Sequence, residues 1–301
     1  MSEKPGADEQ YCSSCGEVIK KEAEICPNCG VRQRSASANY GAQHGSLNIE
    51  GAIKRGFDKL TRKNGLMLVA VFFVISLVSA IASQSQAMRM MNRFGQFFEE
   101  MPSDFRETPF MEFAGSGPLA FDIPPSLISL MNLGSSVAYI VAAIVAFRVF
   151  ASDARDEIPS ETYSGLLMPT INGIIGGIVF GVVVFIGFLF LFVPGIYLFI
   201  ALAFFLVFVA LEDDSFLESL QSSWGLTKGR RLSVFLLFVA LLLVNIAFAI
   251  VGGIASLLVG SVVPQLGAIV NVAVGAAFTV FSFGVLVEAY NQLREEEPTA
   301  V

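Results

Sequence analysis

LMLVAVFFVISLVSAIAS, Leu66 to Ser83, carries no charged side chain across eighteen residues. A helix of that length covers roughly 27 Å at about 1.5 Å per residue, close to the ~30 Å hydrocarbon core of a bilayer. It reads as a transmembrane span. Downstream, Ser126–Phe147 is a second apolar run opened by Pro124 and Pro125, which suit a helix start. No charge occurs between Glu161 and Glu212, nor from Leu232 to Val287. Each stretch is too long for one helix and fits two. Pro194 and Gly195 mark the expected break in the first, and Gly260, Pro264 and Gly267 in the second. The expected fold is therefore an all-α polytopic membrane protein of about six transmembrane helices, spanning residues 65–291.

Composition agrees. The 301 residues are 54% hydrophobic and 15% charged, and so apolar a chain needs lipid around it. The net charge of -7 disfavours nucleic acid as a partner. The opening MSEKPGADEQ has neither the basic nor the apolar region of a signal peptide, so the first span is expected to direct insertion.

Positive charge sets the expected topology. Lys54, Arg55, Lys59, Arg62 and Lys63 precede the first span, Arg148 and Arg155 follow the second, and Lys228, Arg230 and Arg231 precede the fifth. All three groups would be cytoplasmic, which places both termini in the cytoplasm of a cell-membrane protein. Residues 48–64 form a basic amphipathic helix, with Ile49, Ile53, Phe57 and Leu60 at helical spacing. Gln84–Asp122, with three arginines against six acids, is expected as an outside loop, either loosely ordered or resting Met90, Phe94 and Phe97 on the membrane. Residues 292–301 are an acidic tail.

Before the first span lie a polar, Ser- and Gly-rich linker, residues 33–47, and a cysteine-bearing segment, residues 10–32. Cys12-Ser-Ser-Cys15-Gly16 is followed, after ten intervening residues, by Cys26-Pro-Asn-Cys29-Gly30. Each C-x-x-C turn brings two sulfurs to one metal, and the glycines permit the positive φ that follows each knuckle. Four thiolates close a tetrahedral shell, so the expected cofactor is one structural zinc on Cys12, Cys15, Cys26 and Cys29, with no coordination position left for catalysis. Disulfides and a rubredoxin-type iron site are the rival readings; a cytoplasmic position disfavours the first, and the short loop without aromatic packing the second. The segment resembles the minimal zinc ribbons at the termini of many prokaryotic proteins. Lone His44, in the linker, reads as solvated.

After the fourth span, Ser215 and Glu218 have capping-box spacing, while Phe216, Leu217, Leu220 and Trp224 make an apolar stripe expected to form a short surface helix. With Pro194-Gly195-Ile-Tyr-Leu upstream, residues 194–235 resemble the membrane domain associated with some glycerophosphoryl diester phosphodiesterases and with uncharacterised bacterial and archaeal multi-span proteins. In those enzymes a separate soluble barrel performs hydrolysis, so the resemblance implies a membrane domain and not that activity. Glu212, Asp213 and Asp214 could bind a divalent cation, but acids beside a helix N-terminus more often serve its dipole.

Gly173, Gly177 and Gly181 recur every four residues on the third span, leaving a face for intramolecular packing or a homo-oligomer. Asn172, Asn245 and Asn271 read as joints between helices. No ionisable group lies centrally in any span, which argues against ion-coupled transport. No catalytic residues are assigned. The first-ranked function is a non-enzymatic membrane scaffold or regulator whose zinc ribbon engages a protein partner; the second is a transporter, channel or lipid-handling bundle, which a cavity lined by polar groups would promote.

Overall fold

The computed structural model describes residues 9–11, 18–20, 27–28, 47–99, 117–152 and 154–295, with the side chains of 9–11 and 94–99 excepted. The chain divides into two units, residues 1–46 and 47–301. In the first unit, β1 (Glu9–Tyr11) pairs antiparallel with β2 (Val18–Lys20), setting Glu9 opposite Lys20 and Tyr11 opposite Val18. Cys12, Cys15, Cys26, Cys29 and linker residues 33–46 lie outside the described residues.

The described part of the second unit is helical: α1 (Ile49–Thr61), α2 (Lys63–Glu99), α3 (Pro125–Ala151), α4 (Leu167–Phe190), α5 (Phe192–Ala201), α6 (Phe205–Leu211), α7 (Phe216–Thr227), α8 (Arg231–Gly260) and α9 (Pro264–Glu295), with a 3-10 turn at Ser160–Tyr163. Among the described residues, six segments are long and apolar enough to cross a membrane: α2 to Arg93, α3, α4, the α5–α6 pair, α8 and α9. Their outward faces carry large apolar side chains such as Leu189, Phe190, Leu257 and Leu258, each more than two-thirds exposed in the isolated chain. Such surfaces suit a multi-pass membrane protein.

The bundle centres on α9, which packs against α8, α1 and α2, while α2 packs along α3. Phe72, Phe147, Val280, Phe281 and Val285 are buried there, with Phe72 edge-on to Phe283 at 5.4 Å and Phe147 against Phe283 at 4.8 Å. Asn48 caps α1, its Oδ1 accepting from the Gly51 N–H at 2.8 Å. The helix then lies against α9 through Gly56. A methyl there would stand 2.4 Å from Val285 Cγ2, and Gly284 Cβ space is bounded by Gly56 Cα at 3.4 Å. Two glycines thus let a juxtamembrane helix and the last span meet backbone to backbone.

Three boundaries differ from expectation. Gln84–Glu99, expected as loop, continues α2, because its first eleven residues are helix-tolerant and contain neither Gly nor Pro before Gly95. The reversal after α4 falls at Leu191, in extended conformation with φ -165°, and Pro194 sits inside the first turn of α5, where its missing N–H costs nothing. The fourth span is not one helix: it breaks at residues 202–204, between α5 and α6.

Candidate functional site

One end of the bundle gathers its ionic groups. Arg148, at the end of α3, donates from Nε to the Ala210 carbonyl at 2.8 Å, from Nη1 to the Ser164 carbonyl at 2.7 Å and from Nη2 to Asp213 Oδ1 at 2.7 Å. Asp213 turns the chain from α6 to α7 with φ 54°. That left-handed conformation disfavours an ordinary L-residue, and Asp is among those that tolerate it best. Glu212 accepts from both Tyr290 and Arg294. Asp214 takes the Ser222 hydroxyl at 3.2 Å, and burial pushes its carboxyl above the usual range. The three acids weighed as a cation site therefore diverge to three sets of partners. A cleft of about 530 Å³ adjoins Arg148 and Asp213, but both groups are engaged with each other. At the same end Lys59 and Glu288 are both buried, 3.9 Å apart, with Arg55 2.9 Å from the same carboxylate. Burial holds the Lys59 ammonium below the usual lysine range.

α7 is capped as its sequence indicates, with Ser215 and Glu218 forming the reciprocal capping box. Its buried face was not foreseen. Ser219, Ser223 and Thr227, four residues apart, are fully buried, whereas Leu217 and Trp224 point outward. The reason is the break in the fourth span. Ser223 Oγ donates to the Ala201 carbonyl at 3.1 Å and accepts from the Phe204 N–H at 3.1 Å, and Thr227 Oγ1 lies 3.2 Å from the same carbonyl. Backbone groups freed inside a membrane need partners from protein, and α7 supplies them. Its outward Trp224 meets Tyr197 edge-on at 5.7 Å, with the Arg231 guanidinium over both rings at 4.5 and 4.4 Å.

Along α2 and α3 runs a different feature. Ser76, Ser79, Ser83 and Gln86 follow one another at three- and four-residue intervals and so share one face of α2; Ser129, Asn132 and Ser136 do the same on α3. Between these faces a cleft of about 580 Å³ is lined by the hydroxyl-bearing Ser76, Ser79, Ser83, Ser135, Ser136 and Tyr139 together with the apolar Ile75, Ala80 and Ile140. Asn132 Nδ2 donates to Gln86 Oε1 at 3.1 Å across the seam. Farther along the same two helices a second cleft, about 650 Å³, is lined by Gln86, Arg89, Met90 and Arg93 of α2 and by Pro125, Ile128 and Ser129 of α3. Measured from Leu66, Ser76 is about 15 Å along α2 and Gln86 about 30 Å. The polar seam thus runs from near the middle of the α2 span toward its Arg93 end, away from the ionic end. Tyr139, which lines the cleft, packs edge-on against Phe72 at 5.3 Å, and Phe72 in turn meets Phe283 at 5.4 Å. Several hydroxyls are back-bonded to their own helix: Ser83 to the Ala80 carbonyl at 3.1 Å, Ser135 to Met131 at 2.7 Å, Ser136 to Asn132 at 2.8 Å. Their protons are satisfied, and their lone pairs remain as acceptors.

The DUF7847 family model, described as a domain of unknown function, matches residues 47–293, almost the whole helical unit. The chain belongs to that family. No curated protein and no solved structure matches it. The seam, the hydroxyl clamp on the broken span and the ionic end, Arg294 excepted, lie inside the DUF7847 domain.

Of the residues singled out from sequence, the four cysteines lie outside the described residues. The glycine stripe of α4 is split: a methyl on Gly173 would meet Ile140 Cγ2 at 3.0 Å, but Gly177 and Gly181 have nothing within 4 Å. Gly173 therefore packs inside the DUF7847 bundle on α3, with Gly176 against Phe205 beside it, and the other two do not. Asn172 donates to the Asp214 carbonyl at 3.4 Å and Asn271 to Ser256 Oγ at 3.1 Å, both joining elements as expected. The seam itself was missed. Its signal was present in the serines of the first two spans, which recur at helical spacing on α2 and α3.

Proposed function

We propose that this DUF7847 protein is a non-enzymatic lipid-handling membrane protein that holds the polar end of a membrane lipid in the α2–α3 seam. The observation that carries the reading is the serine-bearing cleft between α2 and α3, with a second cleft farther along the same two helices. A polar-lined cavity is what favours a working bundle over a mere anchor. Exposed serine acceptors inside hydrocarbon are unfavourable unless a polar group meets them. The aromatic floor at Tyr139, Phe72 and Phe283 favours a half-groove entered from one leaflet over a through-going channel. The likeness of residues 194–235 to a membrane domain found beside lipid-headgroup hydrolases is in keeping with this role. In the test, delipidated full-length protein in detergent is melted with and without added phospholipid. Lipid should raise the Tm of the wild type by mass action, and Ser79→Leu or Ser136→Leu, which fill the seam, should abolish most of the rise. An equal rise in all three proteins contradicts the proposal.

The scaffold reading attaches to the N-terminal unit. Cys12 and Cys15 fall in sequence between the paired strands β1 and β2, which supports a zinc ribbon on Cys12, Cys15, Cys26 and Cys29 as a tethered protein-binding module. Ionic groups concentrated at the α1 end support cytoplasmic termini. Gly177 and Gly181, open on the outer face of α4, are where a homo-oligomer would be sought.

A further inference from the structure

We propose that the cleft at the far end of the seam selects an anionic phospholipid, its phosphate held between Arg89 and Arg93; this assignment rests on the lipid-handling reading and names the class of lipid. Arg89 and Arg93 stand four residues apart on one face of α2, both lining the cleft. Like charges at that spacing repel, so the pair is stabilised by an anion between them. The chain supplies only part of one. Asp122 lies 2.7 Å from Arg89 Nη2, but its side chain is 87% exposed, so the pair is solvated and weak. Arg89 Nε is buried without a hydrogen-bond partner, and no described residue pairs with Arg93. Among the described residues a net positive charge remains at the cleft.

Depth and lining decide what fills it. Gln86 is about 30 Å along α2 from Leu66, so Arg89 and Arg93 fall in the headgroup layer, where lipid phosphates lie. Beside them Met90, 58% exposed, and Ile128 give the cleft an apolar wall. A free inorganic anion has no use for that wall, whereas a phospholipid sets its glycerol and first methylenes against it. Gln86 and Ser129, at the entrance to the serine seam, can meet the polar group beyond the phosphate. The nearby first turn of α3 has no side-chain cap and adds its dipole in the same sense.

The test uses full-length protein in detergent, titrated with phosphatidylglycerol, phosphatidylcholine or inorganic phosphate and read by native mass spectrometry. Phosphatidylglycerol should bind roughly tenfold more tightly than phosphatidylcholine, the scale of one charge-assisted contact. The double variant Arg89→Gln/Arg93→Gln should lose that preference while still retaining lipid. Asp122→Asn, which frees Arg89, should bind phosphatidylglycerol about two- to fivefold more tightly. This second variant keeps the proposal testable if the double variant folds poorly. Equal binding of the two lipids by the wild type overturns the headgroup site but leaves the seam standing. Displacement of phosphatidylglycerol by millimolar inorganic phosphate would assign the cleft to a free anion and overturn the lipid assignment. Failure of the wild type to retain any lipid overturns the seam reading and this site with it.

Discussion

Ser223 bridges the broken fourth span by donating to the Ala201 carbonyl and accepting from the Phe204 N–H, both at 3.1 Å. One hydroxyl thus satisfies both sides of the gap between α5 and α6. Ser223→Ala leaves a buried carbonyl and a buried N–H with a partner fewer. The expected loss is about 1–3 kcal/mol of stability, measured as unfolding of the purified protein in mixed micelles. Gln221→Ala, on the exposed side of α7, should be nearly neutral. Equal effects would mean that α7 does not clamp the break.

The divided glycine stripe gives a second prediction. Gly173→Leu must displace Ile140 and Leu206, both within 3.3 Å of the added carbon, and should cost about 1–3 kcal/mol as overpacking. Gly177→Leu enters open space, so the unfolding of the monomer should change by less than about 0.5 kcal/mol. If Gly177→Leu instead lowers the molecular mass seen by light scattering, the outer glycines join two copies.

Lys59 supplies a pH dependence. Its burial favours the neutral amine, so the folded protein gives up the Lys59 proton at lower pH than the unfolded chain does. Between the two pKa values the unfolded state binds more protons, and stability rises with pH. Relative to Lys59→Met, the wild type should gain stability as pH climbs from about 8 toward about 10, where an ordinary lysine still holds its proton. A flat difference across that range would show that Glu288, only 3.9 Å away, fully offsets burial. Glu288→Gln should be much more damaging than Lys59→Met, because it leaves Lys59 and Arg55 facing no charge.

For the N-terminal unit, full-length protein purified under reducing conditions should carry one zinc per chain. Replacing Cys12 and Cys15 with serine should remove it, because two ligands cannot close the tetrahedron. Less than half a zinc per chain in metal-replete wild type would contradict the ribbon.

The spans were legible because lipid imposes one rule on the whole sequence: long runs without charge, broken by Gly and Pro. That rule located all six apolar segments and the proline start of α3, and it put the break between the last two spans among Gly260, Pro264 and Gly267. It could not reveal the break at residues 202–204, since nothing in Leu202-Ala203-Phe204 is a helix breaker and the hydroxyls that take up the freed backbone groups, Ser223 and Thr227, lie some twenty residues away. The buried hydroxyl face of α7 was not legible for the same reason. Apolar Leu217 and Trp224 are expected inside a soluble protein, but in a bilayer they face outward, and the hydroxyls turn in to serve backbone. The seam escaped because each serine, taken singly, is ordinary in a span; only the packing of α2 on α3 brings two such faces together. Glu212, Asp213 and Asp214 read from the sequence as acids serving a helix dipole; the partners of the first two, Arg148, Tyr290 and Arg294, come from helices far away in sequence.

The most direct test of lipid handling is where lipid touches the protein. Full-length protein in native-lipid membranes is irradiated with a phospholipid bearing a photoreactive headgroup, and the labelled peptides are sequenced. Labels concentrated on residues 76–93 of α2 and 125–139 of α3, and reduced by Ser79→Leu, are the predicted result. Labels spread evenly over the exposed apolar faces of α4 and α8, and insensitive to Ser79→Leu, would describe ordinary surrounding lipid and contradict the account.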